Sequence, residues 1–280
     1  MSRVRRLQNA PLAYRNPAFM DSKPARVLRM MAEYFDPLVR LRREGVHDTI
    51  VIFGSARICS REDALKNLAR AQKGRASKEK QGRVREARNL VRMAHYYQEA
   101  RELAALITNW SRKFGPMPRR FVVCSGGGPG IMEAANRGAR DAGGKSIGLG
   151  IQLPFEQSPN PHISPELNFN FHYFFMRKLW FSQLAKALVV FPGGFGTMDE
   201  LWEMLTLVQT GKMAKENLIL LYGRKYWNQV LNLKAMVRAG TISEDDCRLL
   251  QFADNVDDAF DRVRSQMERY QMGLEGDWRP

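Results

Sequence analysis

The sequence predicts an α/β fold, a Rossmann-like open parallel sheet with helices on both faces, plus a basic helical insertion and an N-terminal extension. Two observations lead to this fold class. Apolar runs of strand length alternate with helical patterns from residue 49 onward, an order typical of a parallel sheet. Two of these runs end in long glycine-rich turns, SGGGPG and PGGFG, and a helical pattern follows each turn.

The predicted elements follow one another regularly along the main part of the chain. The first strand, TIVIF, begins at residue 49 and ends at Gly54-Ser55. Further strands are predicted at 120–124, 146–150, 187–191 and 217–222, with an extended segment at 167–175. Helices are predicted at 130–142, 176–185, 197–210, 225–238 and 255–270.

The main domain is predicted to span residues 48–270 as a single Rossmann-like domain. Residues 1–47 contain four prolines and are predicted to be a basic N-terminal extension. Within the extension, 25–41 has the apolar spacing of a helix that packs on the domain. Residues 271–280 are expected to be a frayed tail.

The region 61–113 is predicted to be helical. Its first part, about 61–92, is polar and basic and forms the insertion, while its second part has apolar residues at core-facing spacing. A bend is expected near Gly74 or Gly82. The predicted core residues of the second part are Ala100, Leu103, Ala104, Ile107 and Trp110.

The net charge of +15 is concentrated in two segments of this 280-residue chain. Residues 1–47 carry ten Lys and Arg against four acidic residues, and residues 61–92 carry eleven against four. Basic surfaces of this kind attract nucleic acid or phosphorylated substrates. Because no aromatic residues are interleaved with the basic ones of 61–92, a solvated basic helix is favoured over a nucleic-acid site. Nucleic acid is therefore a possible but not a favoured partner.

The composition also indicates the cellular compartment in which the protein is expected to reside. No apolar run approaches the roughly 20 residues needed to span a bilayer, and no signal-peptide core follows the N-terminal basic residues, so a cytoplasmic protein without a membrane partner is expected. The three cysteines are scattered, as free thiols in a reducing compartment would be. The four histidines show no metal-like spacing, and we predict no metal site. These residues are Cys59, Cys124, Cys247, His47, His95, His162 and His172.

The glycine-rich turns are candidate anion-binding sites. A turn without Cβ atoms lets backbone N–H groups approach an anion closely, and the start of the next helix adds partial positive charge. If their strands are neighbours, the two turns and Gly54-Ser55 would converge on one crevice. Ser125 and Thr197 are placed to cap helices or to bind phosphate. The structural alternative is that the glycines only allow tight turns and close helix packing.

The turns do not match two familiar nucleotide motifs. SGGGPGIME lacks the Lys-Ser/Thr ending of a P-loop, and neither turn has the GxGxxG spacing with an acidic residue on the following strand. A dinucleotide enzyme that transfers hydride is therefore poorly supported.

Two acidic residues, Glu133 and Glu200, lie in the predicted first turns of the helices that follow the glycines. The helix dipole stabilises a carboxylate there, so a capping role alone would explain them. Alternatively, they bind ribose hydroxyls or an attacking water. Arg177 and Lys178 supply a counter-charge upstream, although Lys178 fits a surface role equally well.

Taken together, these motifs resemble the LOG ("lonely guy") family, nucleoside 5′-monophosphate phosphoribohydrolases often mislabelled as lysine decarboxylases. The resemblance covers about 48–240 and rests on SGGGPGIMEAANRGA, Met176-Arg177-Lys178 and FPGGFGTMDELWE, in this order and spacing. The GGGPGxMEAAN form is closer to the bacterial nucleotide nucleosidase branch than to the plant cytokinin-activating enzymes.

The resemblance implies hydrolysis of the N-glycosidic bond of a nucleoside 5′-monophosphate, AMP- or GMP-like, to free base and ribose 5-phosphate. It implies that Arg177 and Glu200 are the catalytic pair and that the second turn holds the 5′-phosphate. The residues of that turn are Pro192, Gly193, Gly194, Gly196 and Thr197. It further implies a crevice lined by Gly54, Ser55, Ser125, Gly126, Gly127, Gly128, Glu133 and Lys178.

Two other functions stay open. A non-catalytic nucleotide-binding or sensing module of the same fold need not keep both Arg177 and Glu200, so their presence favours the enzyme. An RNA-associated protein would use its basic segments. No cofactor is expected, because no residue pattern indicates a pyridoxal phosphate lysine. The resemblance implies at least a homodimer, while the base preference and any allosteric role of the basic segments stay undetermined.

Overall fold

The fold was analysed in a computed structural model that describes residues 9–73, 77–154, 158–213 and 217–277, with the backbone alone for 273–277. Seven strands in the described part of the chain form one parallel sheet. The strands are β1 (Thr49–Phe53), β2 (Val122–Ser125), β3 (Ser146–Ile151), β4 (Asn168–Phe171), β5 (Ala185–Val190), β6 (Leu218–Tyr222) and β7 (Leu250–Ala253). The predicted α/β class is confirmed.

Helices connect and cover these strands. They are α1 (Pro17–Met20), α2 (Arg26–Arg43), α3 (Arg61–Gln72), α4 (Lys78–Met93), α5 (His95–Ser111), α6 (Ile131–Asp141), α7 (Phe174–Leu184), α8 (Phe195–Gln209), α9 (Arg224–Val230), α10 (Leu233–Arg238), α11 (Glu244–Cys247) and α12 (Val256–Asp277). Among the helices that the structure describes, none is both long enough and apolar enough to cross a bilayer.

The order of strands in the sheet is β4-β3-β2-β1-β5-β6-β7. The chain builds the sheet outward from β1 in one direction, through β2 and β3 to β4, and then returns to place β5 on the other side of β1. This reversal creates a topological switch point between β1 and β5, where ligands bind in open parallel sheets. The glycine turns follow β2 and β5, the two neighbours of β1, and the third predicted turn follows β1 itself.

Apolar side chains fill both faces of the sheet. Strands β1 and β6 are buried along their whole length, as expected of parallel strands covered on both sides. One face packs against α5, α6 and α12, and the other against α2, α7 and α8. The prediction of helices on both faces is confirmed, and both cores support the edge where the turns lie.

The predicted long helical region consists of three helices, α3, α4 and α5. The apolar residues predicted to face the core, from Ala100 to Trp110, are all buried on α5. Of the two positions predicted for the bend, Gly82 is wrong, because α4 continues through this residue and ends at Met93, whereas the helix is interrupted near Gly74, since α3 ends at Gln72 and α4 begins at Lys78. Strong helix formers surround Gly82, and one half-buried glycine does not break such a helix. Gly74 lies outside the described residues.

Several other boundaries differ from the sequence-based expectation. The helix predicted at 225–238 is divided into α9 and α10, because Asn232 accepts a capping bond from the N–H of Ala235 at 3.0 Å. The extended segment predicted at 167–175 is β4 followed by the start of α7 at Phe174. Helix α12 continues to Asp277, beyond the predicted end at 270. Strand β7 was not predicted, because its four residues are too few for a clear pattern.

Substitutions at two helical glycines would test how closely the helices pack against one another. Gly138 lies where α6 meets α5, and a Cβ there would overlap the carbonyl oxygen of Arg101. We expect Gly138→Ala to lower the free energy of unfolding by about 1–3 kcal/mol, because the helices must move apart. Urea denaturation followed by circular dichroism measures this change.

The matched control is Gly82→Ala, since a Cβ at Gly82 meets no atom within 4 Å. Alanine there should raise the free energy of unfolding by about 0.5–1 kcal/mol through helix propensity alone. Equal effects of the two substitutions would contradict the close approach of α5 and α6.

Candidate functional site

The turns after β1, β2 and β5 meet at the carboxyl edge of the sheet. Ser55 connects them through its backbone, since its N–H donates to the carbonyl of Pro192 at 3.0 Å and its carbonyl accepts from the N–H of Ile131 at 3.1 Å. Gly54 permits this approach, because a Cβ there would lie 2.6 Å from the side chain of Ile131. The predicted convergence of the turns is confirmed.

The first turn, SGGGPG, is fixed by buried hydrogen bonds. The hydroxyl of Ser125 accepts from the N–H of Gly127 at 3.1 Å, and Gly127 has a φ of 72° that favours glycine. The side-chain amide of Asn160 donates to the carbonyls of Gly127 and Gly128 at 3.1 and 3.0 Å. The capping role predicted for Ser125 is wrong, because α6 begins only after Gly130.

Asn136 joins this turn to the sheet. Its carboxamide oxygen accepts from the Ser125 hydroxyl at 2.7 Å and from the Asn160 amide at 2.9 Å. Its amide donates to the Ser146 hydroxyl at 3.0 Å and to the carbonyl of Ile147 at 3.1 Å. The sequence analysis missed Asn136 and Asn160. A polar residue on the apolar face of a predicted helix was the available signal for Asn136.

The second turn, PGGFG, is open to solvent at the start of α8. A Cβ on Gly194 or Gly196 would meet no atom within 4 Å, and the side chain of Phe195 between them is 96% exposed. The first N–H groups of a helix have no intrahelical acceptor, so they are free to bind an anion. Thr197 is buried in the first turn of α8 and does not cap it, because the N-cap is Gly194.

Tyr226 stabilises the second turn through a side-chain hydrogen bond. Its hydroxyl donates to the carbonyl of Gly193 at 2.7 Å. Gly193 itself packs so closely on the side chain of Thr197 that a Cβ would overlap the Thr197 hydroxyl. Tyr226 was missed in the sequence analysis because it lies on α9, outside the motifs.

A buried ion pair lies between the two turns. Nη1 of Arg177 on α7 donates to Oε1 of Glu200 on α8 at 2.8 Å, and the two residues are only 7% and 6% exposed. Nε of Arg177 donates to the carbonyl of Leu149 at the end of β3, also at 2.8 Å. A Cβ on Gly126 would lie 2.7 Å from Nη2 of Arg177, so the guanidinium lies against the first turn.

Burial governs the electrostatics of this pair. Desolvation raises the pKa of Glu200 above its usual value, and the charge of Arg177 opposes that rise only in part. Removing either partner would leave an uncompensated buried charge, which is strongly destabilising. The guanidinium of Arg177 also lies 4.9 Å from the ring centroid of Phe181, a cation–π contact that fixes its orientation.

Two predicted site residues make different contacts. Nζ of Lys178 pairs with Asp199 at 2.7 Å and with Glu203 at 3.3 Å, so it links α7 to α8. This arrangement fits the structural alternative for Lys178.

Glu133 contacts residues of α5 and of the loop after β3. Its carboxylate accepts from the Tyr97 hydroxyl at 2.9 Å and lies 3.8 Å from Nε2 of His162. Burial raises the pKa of Tyr97 to about 12, which keeps this phenol protonated as the donor. The structure therefore places Glu133 against α5 and the loop after β3.

A cavity of about 400 Å³ opens beside Arg177. The first turn, the ends of β3 and α6, and the edge strand β4 form its walls. The lining residues are Ala56, Gly126, Gly127, Gly128, Met132, Gly150, Ile151, Leu153, Ser158, Pro159, Asn168, Phe169, Asn170 and Arg177. Its volume lies within the roughly 300–1,000 Å³ typical of small-molecule sites.

Comparison with known proteins identifies related sequences. Residues 132–263 match the family model described as "Possible lysine decarboxylase". The cytokinin riboside 5′-monophosphate phosphoribohydrolase LOG of Oryza sativa subsp. japonica is 28% identical over 156 residues, 55% of this chain and 63% of that protein. The cytokinin riboside 5′-monophosphate phosphoribohydrolase of Mycobacterium marinum is 28% identical over 142 residues, 49% of this chain and 73% of that protein. The predicted resemblance to the LOG family is confirmed.

Solved structures are also similar. The Moco carrier protein from Chlamydomonas reinhardtii superimposes with a TM-score of 0.45 and 18% sequence identity, over 79% of this chain and 98% of that one.

The buried amide of Asn136 allows a test of how the first turn is held. Asn136→Ala should lower the free energy of unfolding by about 3 kcal/mol or more, because several buried groups lose a partner at about 1–3 kcal/mol each. Urea denaturation measures the loss. Asn109→Ala, an exposed asparagine on α5, should change it by less than about 0.5 kcal/mol. A loss at Asn136 no larger than in this control would contradict the network.

Proposed function

We propose that this chain hydrolyses the N-glycosidic bond of a nucleoside 5′-monophosphate, releasing the free base and ribose 5-phosphate. The observation that carries the proposal is the buried Arg177–Glu200 pair, which lies beside an open glycine turn at the switch point of the sheet. The names of the curated relatives support it, since both are phosphoribohydrolases of a riboside 5′-monophosphate.

The second turn would hold the 5′-phosphate. Its open side at Gly194 and Gly196 leaves room for a phosphate against the backbone, and the N–H groups at the start of α8 would donate to the phosphate oxygens. The Thr197 hydroxyl would add a donor. The bond from Tyr226 to Gly193 keeps the turn in one conformation before the substrate binds. Binding the phosphate away from the reacting carbon would orient the ribose.

Glu200 and Arg177 would then act on the ribose. Breaking the bond between C1′ and the base nitrogen builds oxocarbenium character on the sugar, which the Glu200 carboxylate would stabilise. The same carboxylate would hold the attacking water, which gives its hydroxyl to C1′ and a proton to the departing base. Arg177 would orient Glu200 and face the negative charge that develops on the base.

An AMP- or GMP-like purine nucleotide is the proposed substrate, with no cofactor. The free thiols of Cys59, Cys124 and Cys247 accord with a reducing cytoplasm. The homodimer and the nucleic-acid role of the basic segments stay predictions.

Glu200 is the residue to change first. We expect purified protein to release free base from AMP or GMP, and Glu200→Ala to lower kcat by about a hundredfold or more, the loss seen when transition-state stabilisation is removed. Chromatography of base and ribose 5-phosphate measures the reaction, and Glu200→Gln keeps the shape of the side chain. Glu203→Ala, one turn further along α8, is the matched control and should retain activity.

The outcomes separate the proposed enzyme from its alternative. Release of no base from any common nucleoside monophosphate would overturn the proposal. Nucleotide binding without turnover would then favour the sensing module of the same fold.

The raised pKa of Glu200 predicts the pH range in which activity is lost on the acidic side, or acidic limb, of the pH profile. Since the ionised carboxylate is needed, kcat/KM should fall as the pH decreases through a pKa above the usual 4.5 of a glutamate. The charge of Asp199 contributes to this rise, so Asp199→Asn should move the limb to lower pH.

The substrate phosphate also titrates, at about pH 6, but identically with both proteins, so their difference reports on Glu200. A limb that stays in place or moves to higher pH in Asp199→Asn would contradict the assignment.

A further inference from the structure

The cavity beside Arg177 has no role in the phosphate binding and catalysis proposed above. Along the carboxyl edge of the sheet, the second turn follows β5, the first turn follows β2, and the Arg177–Glu200 pair lies between them. The cavity lies beyond the pair, at β3 and β4. With a phosphate on the second turn and C1′ at the pair, the remaining part of a nucleotide, its base, falls in the cavity.

The distance along this edge suits such a ligand. The turns after β5 and β2 are separated by two strand spacings, about 10 Å in total, and Gly150 of β3, beside which Oδ1 of Asn170 lies, is one spacing further, at about 14 Å. A nucleoside monophosphate, with phosphate, ribose and base joined in a row, can bridge this span. Arg177 lines the cavity and also bonds Glu200, so it would contact both the base and the reacting centre.

The walls of the cavity suit a flat ring. Peptide groups of Gly126–Gly128 form one side, with no side chains to fill the space. Met132, Ile151 and Leu153 add apolar surface. Binding sites for small molecules typically combine such surfaces with a few placed polar groups.

Two asparagines supply the polar groups. Asn168 and Asn170 of β4 pair in register with Gly148 and Gly150 of β3, so all four residues share one face of the sheet. Because Gly150 has no side chain, the space beside the Asn170 amide stays free, with Oδ1 only 3.7 Å from where a Cβ of Gly150 would lie. Within the described residues, neither asparagine side-chain amide has a hydrogen-bonding partner, and the bond from Arg40 reaches only the backbone carbonyl of Asn168.

The strand that carries these amides is held in place. Nη2 of Arg40, on α2, donates to the carbonyls of Glu166 and Asn168 at 2.8 and 2.9 Å. Its guanidinium also lies 4.2 Å from the ring centroid of Phe169. These contacts fix the backbone of β4, so the two amides are presented in a preorganised position.

We propose that this cavity binds the nucleobase and that the side chains of Asn168 and Asn170 recognise its hydrogen-bonding edge. The inference rests on the proposed function and names the specificity residues of the same site. An asparagine amide carries a donor and an acceptor side by side, which match adjacent groups on a base such as N6 and N7 of adenine. These residues select the base and take no part in the bond cleavage.

The test compares ligands with and without a base. Calorimetry measures the affinity of wild type, Asn168→Ala and Asn170→Ala for AMP, GMP, CMP, UMP and ribose 5-phosphate. Removing a paired amide contact should lower the affinity for the preferred nucleotide by about tenfold or more. It should also reduce the differences in affinity among nucleotides with different bases. The affinity for ribose 5-phosphate should not change, because it has no base. Asn170→Asp keeps the shape and replaces the amide donor with a second acceptor, so it should change the order of preference among the nucleotides.

Asn109→Ala on α5 is the control for a surface asparagine. Equal weakening of all five ligands, or no change in any of them, would overturn the base site. The binding measurement does not depend on turnover, so a wild type that binds nucleotides without cleaving them would refute the proposed function while still deciding the base site. A wild type that binds none of the five would overturn both.

Discussion

The ion pair between Arg177 and Glu200 sets the conditions that the rest of the site meets. A buried charge pair adds little to stability, because the desolvation of both groups offsets their attraction. It needs additional partners, and Arg177 finds one in the carbonyl of Leu149. It also needs space, which Gly126 provides by having no side chain. The glycine turn and the end of β3 are thus shaped around one guanidinium.

The two faces of the sheet contribute different parts of the site. Helices α7 and α8 on one face carry the charged pair, whereas α6 on the other face carries the amide network that holds the first turn. The site forms only where both faces meet, at the carboxyl edge beside β1. A substitution in either core would therefore shift one half of the site relative to the other. Even a small shift of groups that must be accurately positioned strongly lowers the reaction rate.

Much of this arrangement could be predicted from the sequence, because it depends on local patterns. The strand–turn–helix units and the glycine turns belong to contiguous motifs, and the family resemblance implied the pairing of Arg177 with Glu200. The remaining features depend on contacts between residues distant in sequence. Ser125 was expected to cap a helix or to bind phosphate, but its hydroxyl donates to Asn136, which also accepts from Asn160. The bond from the Tyr97 hydroxyl to Glu133 likewise joins residues 36 positions apart. Such competition between partners leaves no trace in the local pattern.

The contacts of Arg40 have a consequence for solubility as well as for the site. Strand β4 is at the edge of the sheet, and an edge strand with free carbonyls can pair with the edge of another molecule. The guanidinium of Arg40 binds the carbonyls of Glu166 and Asn168 and places a fixed positive charge there. One side chain of the N-terminal extension thus occupies carbonyls that another molecule's edge strand would need for pairing, beside the strand that lines the cavity.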